Sequence, residues 1–313
     1  MDKPAVPWQA KFLALSLIWG SSFLFMKVAL AALAPIQIAG ARILAGAAIL
    51  LVLLRASGKR LPRGRRVWGH LVICSVFLAV LPFIGFVVGE TRVSSALAGI
   101  GNATTPISSV LFALVLLPAE RLTPRKLSAV GIGFLGVLVI AEPWNVIGRP
   151  DPLGFLIVVL SGACYGLGWT YNRRFLGDAD LGGLSQPAAL LLCGSVLMLP
   201  IVLGWWLLQG ERFATPWSLA PEAGAAYPIW LSLACLAALG LVGTGLASML
   251  QYDVVRAAGA VISSTVTYVI PVVSVILGVA LLGERLGVAQ VVGFVIVLGA
   301  AYVVNRRPKA TPA

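Results

Sequence analysis

Apolar residues fall in ten blocks along the chain, near 11–32, 35–54, 68–90, 93–117, 124–141, 153–175, 184–208, 228–252, 258–282 and 287–305. A helix rises 1.5 Å per residue, so about 20 apolar residues cross the roughly 30 Å hydrocarbon core of a bilayer. Barrel strands would alternate in and out instead of running apolar without interruption. The pattern predicts an all-α polytopic membrane protein with ten transmembrane helices.

Composition narrows the function classes. Of the 313 residues, 59% are hydrophobic and 11% charged, with a mean hydropathy of +0.99; a soluble domain carries about 25% charged residues. A soluble enzyme, a nucleic-acid-binding domain and a disordered chain are all excluded. The net charge of +12 then needs another source. If the N-terminus is cytoplasmic, 17 of the 23 basic residues fall on the inner side, while the outer segments hold only Arg92, Arg149, Arg212 and Arg285. The positive-inside rule therefore places both the N and C termini in the cytoplasm, and the basic charge reports orientation and contact with the lipid bilayer rather than nucleic acid. Cys74, Cys164, Cys193 and Cys235 lie within spans, without the close spacing of a metal or redox site. Lys27 interrupts the first apolar block, which is read as a retained span and not a cleaved signal.

The two halves resemble each other. Pro106 and then Glu120-Arg121-Leu122 in the first half answer Pro271 and Glu284-Arg285-Leu286 in the second, at offsets of 165 and 164. Trp19-Gly20-Ser21-Ser22-Phe23 answers Tyr165-Gly166-Leu167-Gly168-Trp169 at an offset of 146, the long connection near 209–227 absorbing the difference. Five spans per repeat is an odd number, so the second copy enters from the opposite side. Inverted repeats of this kind recur in secondary transporters, with the substrate near the midplane between them. Duplication alone would also produce a stable bundle without transport.

Trp-Gly-Ser-Ser-Phe at 19–23, Arg42 in span 2, Ser94-Ser95-Ala96-Leu97-Ala98 leading to Pro106, and Glu-Arg-Leu after spans 4 and 9 together resemble the EamA family of the drug/metabolite transporter superfamily. The resemblance covers two domains, about 11–141 and 153–304. It implies a ten-helix exporter or exchanger of small metabolites in the plasma (inner) membrane, with amino acids a common substrate class. Tyr165 to Trp169 departs from the Trp-Gly-Ser-Ser-Phe form, so the two halves are expected to line the pathway unequally.

Polar groups near span centres cost free energy unless they face a partner or a water-filled cavity. Trp19, Ser21, Ser22, Asn102, Thr104, Thr105, Tyr165, Thr244, Thr267 and Tyr268 fall at that depth, with Trp169 one turn further on. They form the candidate substrate-binding set, suited to an uncharged or zwitterionic metabolite; each hydroxyl alternatively bonds its own helix, and each aromatic alternatively packs. Pro106 and Pro271 are either hinges or static kinks in spans 4 and 9. Lys27 and Arg42 lie in the outer leaflet. Either they snorkel, or they pair with Glu90 or Glu284 as an outer gate.

All eleven acidic residues fall at span ends or in loops. Proton antiport through a midplane carboxylate is therefore not expected, and facilitated exchange is the simpler mechanism, with titration of an interfacial glutamate left open. Gly131-x-Gly133-x-x-Gly136, a dinucleotide-like string, lies within an apolar span and reads as close helix packing, as do Gly85-x-x-x-Gly89 and Gly162-x-x-x-Gly166. His70 reads as an interfacial residue. No enzyme constellation, metal site or cofactor motif is found. The expected partners are a small-molecule substrate and lipid, for a chain that is a monomer or homodimer; the alternative function is a flippase for lipids or lipid-linked carriers, with Lys27 and Arg42 holding a phosphate.

Overall fold

Helix α1 (Trp8–Ala29) starts directly after Pro7, and the chain turns through residues 30–34 before Pro35 opens α2 (Pro35–Ala56). Proline suits that first helical position because its absent N–H would have had no intrahelical partner. The computed structural model describes residues 7–117, 124–142, 150–177, 179, 181, 183–209, 212–264 and 266–305. Glu120-Arg121-Leu122 and both chain ends lie outside these residues.

Span 3 consists of α3 (Arg65–Ser75), a wide π-helical segment Val76–Val80 and α4 (Leu81–Glu90). Pro82 sits at the second position of α4, so the widened turn accommodates a proline that would otherwise strain a continuous helix. Span 4 is discontinuous: α5 (Ser95–Asn102) ends at a turn through Ala103 and Thr104, and α6 (Thr105–Leu116) then begins. Helices α7 (Pro124–Ala141), α8 (Pro152–Leu176) and α9 (Ser185–Leu208) follow. Span 8 combines α10 (Ile229–Ala237), a second π-helical segment Ala238–Leu246 and the start of α11 (Ala247–Ser264); α12 (Val266–Leu282) and α13 (Val288–Asn305) complete the chain.

Among the described residues, seven helices are long and apolar enough to cross a membrane, and Val130–Ala141, Val266–Leu282 and Val288–Val303 are shorter apolar helical stretches. Two expectations are corrected. The loop expected near 253–257 is helical, because α11 continues to Ser264. Asp253 and Arg256 mark an edge of apolar sequence, but charge does not end a helix, and no proline stands between Ala238 and Ser264 to do so. Pro106 does not kink a continuous helix. It occupies the second position of α6, after the break, whereas Pro271 lies inside α12.

The main packing pairs exchange when the halves are exchanged. Helix α1 packs on α12 and on α10 and α11, as α8 packs on α6 and on α3 and α4; α2 packs on the second π segment, as α9 packs on the first. The pairs α2 with α9, α5 with α12 and α7 with α13 map onto themselves. Small residues permit these approaches. A Cβ on Gly166 would lie 2.7 Å from the Ser109 backbone nitrogen in α6, and one on Gly136 would lie 3.0 Å from the Gly293 carbonyl in α13. One core cluster joins α1, α4, α5, α8 and α12, and a second joins α2, α4 and α9; Tyr165 packs against both.

Candidate functional site

Helix periodicity brings Phe83, Phe86 and Glu90 to one face of α4. Phe86 stacks on Tyr165 of α8 at 5.8 Å between ring centroids and meets Phe23 of α1 edge-on at 5.4 Å. Phe83 lies under the Arg42 guanidinium, 3.9 Å from centroid to Cζ. In a desolvated setting such a cation–π contact is worth about 2 kcal/mol. Arg42 is 6% exposed, its Nε donates to Thr244 Oγ1 at 2.9 Å, and Nη1 approaches the Met26 sulfur at 3.7 Å. Arg42 therefore does not snorkel to an interface and, among the described residues, makes no ion pair. It ties span 2 to the π segment of span 8.

That π segment is itself organised around Thr244, whose hydroxyl donates to the Leu239 carbonyl five residues back at 2.9 Å. The adjacent Gly243 carbonyl accepts from Trp19 Nε1 at 3.1 Å. Gly46 of α2 lies so close to Thr244 that a Cβ there would sit 2.9 Å from the threonine Cβ. Trp19, Arg42, Thr244 and Tyr165, drawn from spans 1, 2, 8 and 6, thus meet through α4 and the second π segment. Sequence reasoning missed Phe83, Phe86 and Met26; the three-residue spacing of the phenylalanines after Pro82 was the available signal.

Other candidates are placed differently. Ser21 and Ser22 both donate to the Ile18 carbonyl, at 3.0 and 3.1 Å. Thr104 donates to Gly101 O at 2.7 Å, while Thr105 reaches the Gly162 carbonyl of α8 at 3.1 Å and Asn102 Oδ1 at 3.4 Å. The Thr105 bond ties the broken span 4 to α8. Tyr268 donates to the Ala301 carbonyl of α13 at 2.6 Å, and Thr267 is half-buried beside it. Trp169 is 42% exposed.

The four gate candidates are also rearranged. Lys27 Nζ donates to the backbone carbonyls of Glu90 at 2.7 Å and Val93 at 3.1 Å. Glu284 accepts from the backbone N–H groups of Ser95 at 2.7 Å and Ala96 at 2.9 Å, capping α5 from the other half of the chain. Among the described residues the ion pairs are Lys11 with Asp253 and Arg92 with Asp151, so the expected Lys27 or Arg42 pairs with glutamate are absent. Glu90 corrects another expectation: although it ends its helix, it is fully buried.

Above this cluster, in the outward sense assigned from charge, the connection after α9 is pinned to the α1–α2 turn. Ala220 N donates to Ala32 O at 2.8 Å, and Gln37 Nε2 donates to the carbonyls of Pro216 and Ser218 at 3.0 and 2.8 Å. At the opposite end, His70 shares a 2.8 Å hydrogen bond with Tyr171 and stacks on Phe175, beside an open hollow of about 410 Å³ bordered also by Arg66 and Arg174.

The model of the EamA-like transporter family matches residues 7–141 and 152–306. The chain belongs to the EamA-like transporter family. Similar proteins include the uncharacterized inner membrane transporter YedA of Escherichia coli K12, 26% identical over 283 residues and covering 90% of this chain and 85% of that one. Protein PecM of Dickeya dadantii is 25% identical over 301 residues, covering 94% and 93%. The uncharacterized transporter YvbV of Bacillus subtilis is 25% identical over 303 residues, covering 96% and 92%. A solved crystal structure, 19% identical, superposes with a TM-score of 0.62 over 95% of this chain and 96% of the other, a likeness of fold alone. Family membership and the long apolar helices make this EamA-like chain a multi-pass membrane transporter.

Proposed function

We propose that this chain is a secondary transporter of the inner membrane that exports or exchanges small metabolites, amino acids or related compounds among them. Ten spans form two inverted five-helix repeats with both termini cytoplasmic, and one half rocks against the other around a site bounded by Trp19, Arg42, Tyr165 and Thr244. The observation that supports this reading is the exchange symmetry of the packing pairs, together with hydrogen bonds that join Trp19 and Arg42 of the first half to Gly243 and Thr244 of the second. A buried guanidinium suits a substrate carboxylate, and the rings of Trp19 and Tyr165 suit an ammonium or an apolar side chain. Lipid flipping has less support, because Lys27 is engaged by two carbonyls and Arg42 is buried, so neither is available to a headgroup from the bilayer.

The test is efflux from proteoliposomes loaded with a mixed pool of amino acids and small metabolites, read by mass spectrometry against empty vesicles and a Trp19→Ala protein. Selective loss of one compound class, slowed by the substitution, supports the proposal. Efflux no faster than from empty vesicles refutes it for that pool.

A further inference from the structure

Glu90 has 0% exposure, and among the described residues both of its carboxylate oxygens lack a hydrogen-bond partner. An ionised carboxylate removed from water needs donors or a paired cation, and without them its burial is far more costly than that of a neutral acid. Two cations stand nearby, yet neither is spent on it. Lys27 of α1 directs Nζ to the main-chain oxygens of Glu90 and Val93. Arg42 of α2 is held by Thr244, Met26 and the face of Phe83. On the other side Glu284, a second carboxylate within electrostatic range, is engaged on the first amides of α5.

Among the described residues the remaining neighbours supply no counter-charge. The first π segment, Val76–Val80, contains no titratable residue, nor does α5. Helix α8 brings Cys164 and Tyr165, the latter interacting with Arg42; Asp151, at the start of α8, pairs with Arg92 in the loop after α4. A metal cation is a poor fit. It would require a cage of oxygens beside Lys27, whose ammonium already occupies the Glu90 and Val93 carbonyls.

We propose that the Glu90 carboxyl is a proton-binding site of the transport cycle. In the conformation described it is buried as the neutral acid. When the outer end opens and water enters, the proton leaves to solvent and the carboxylate becomes a partner for Lys27 or Arg42; closing takes one proton back from the same side. This rests on the transporter reading above and leaves no carboxylate at the midplane; the proton is exchanged with one side only, so it makes opening pH-dependent without net proton movement across the membrane.

The first experiment needs no substrate. Infrared spectra of the full-length protein in liposomes at neutral pH are expected to contain a protonated-carboxyl C=O band that Glu90→Gln lacks and Glu90→Asp retains at a shifted frequency. A melting curve on each variant confirms that it is folded. A wild-type spectrum without the band, or a band undiminished in Glu90→Gln, overturns the proposal. The second arm measures efflux of the mixed amino-acid pool at a series of external pH values. Wild type is expected to show a one-proton dependence, about tenfold per pH unit on its steep limb, while Glu90→Gln is flat. A flat wild-type profile, or a dependence on sodium in place of pH, overturns the role of this proton in the cycle. If the band is present but nothing in the pool is transported, the proton site stands and the metabolite reading fails.

Discussion

Arg42 Nε donates to Thr244 Oγ1 at 2.9 Å, anchoring a buried cation from the first half of the chain on a hydroxyl from the second. The same hydroxyl donates to Leu239 O, so one oxygen both accepts the guanidinium and helps to hold the wide turn. Replacing Thr244 by Val conserves shape and removes both bonds. The expected cost is about 1–3 kcal/mol, because Arg42 loses an acceptor in a buried setting; it is read as a lower melting temperature in detergent. Thr244→Ser is expected to recover most of the loss, and a Val variant as stable as wild type would contradict the assignment.

Capping of α5 by Glu284 makes a second prediction. Glu284→Ala removes the acceptor of two amide hydrogens and is expected to destabilise the protein by about 1–2 kcal/mol, with Glu284→Gln intermediate because one acceptor and no charge remain. Gly278→Ala is expected to act in the same direction, since its Cβ would crowd the Glu284 carboxylate and lie 3.0 Å from Ser95 Oγ. Melting curves of the three variants give the ranking.

Trp19 separates binding from packing. Trp19→Phe keeps an aromatic face but loses the 3.1 Å bond to Gly243 O, and is expected to slow efflux by several-fold, roughly the 1 kcal/mol of one hydrogen bond. Trp19→Ala is expected to slow it further. Equal efflux from all three proteins would remove Trp19 from the pathway.

The glycine string at 131–136 tests the packing reading directly. A Cβ on Gly131 meets nothing within 4 Å, whereas one on Gly136 would lie 2.8 Å from Val297 Cγ2. Gly131→Ala is expected to be neutral or stabilising by up to about 1 kcal/mol, and Gly136→Ala to destabilise by about 1–3 kcal/mol through separation of α7 from α13. A shared effect on nucleotide binding, with no difference in stability, would argue for the discarded phosphate reading.

The all-helical membrane class and seven long apolar helices were legible because a bilayer imposes length and hydropathy on each one separately, and Trp19 and Arg42 stood out as polar groups in apolar surroundings. What joins them was not legible. The approach of Arg42 to Thr244 depends on how α2 meets a segment 202 residues later, and on a π-helical turn that no residue type announces. Glu90 was misread because position at a helix end suggested water, while its burial comes from neighbours contributed by α1, α2 and the loop after α12. The broken span 4 was half legible: Pro106 pointed to an irregularity, but a proline at the second helical position starts a helix as readily as it bends one.

The cap on α5 also has a consequence for biosynthesis. The amide of Ser95 finds its acceptor 189 residues further along the chain. At a synthesis rate of 5–20 residues per second, α5 waits about 10–40 s for Glu284 to be made. During that interval the first helices are held in the translocation machinery or the lipid with an unfinished end, and a chain interrupted before residue 284 leaves it unfinished.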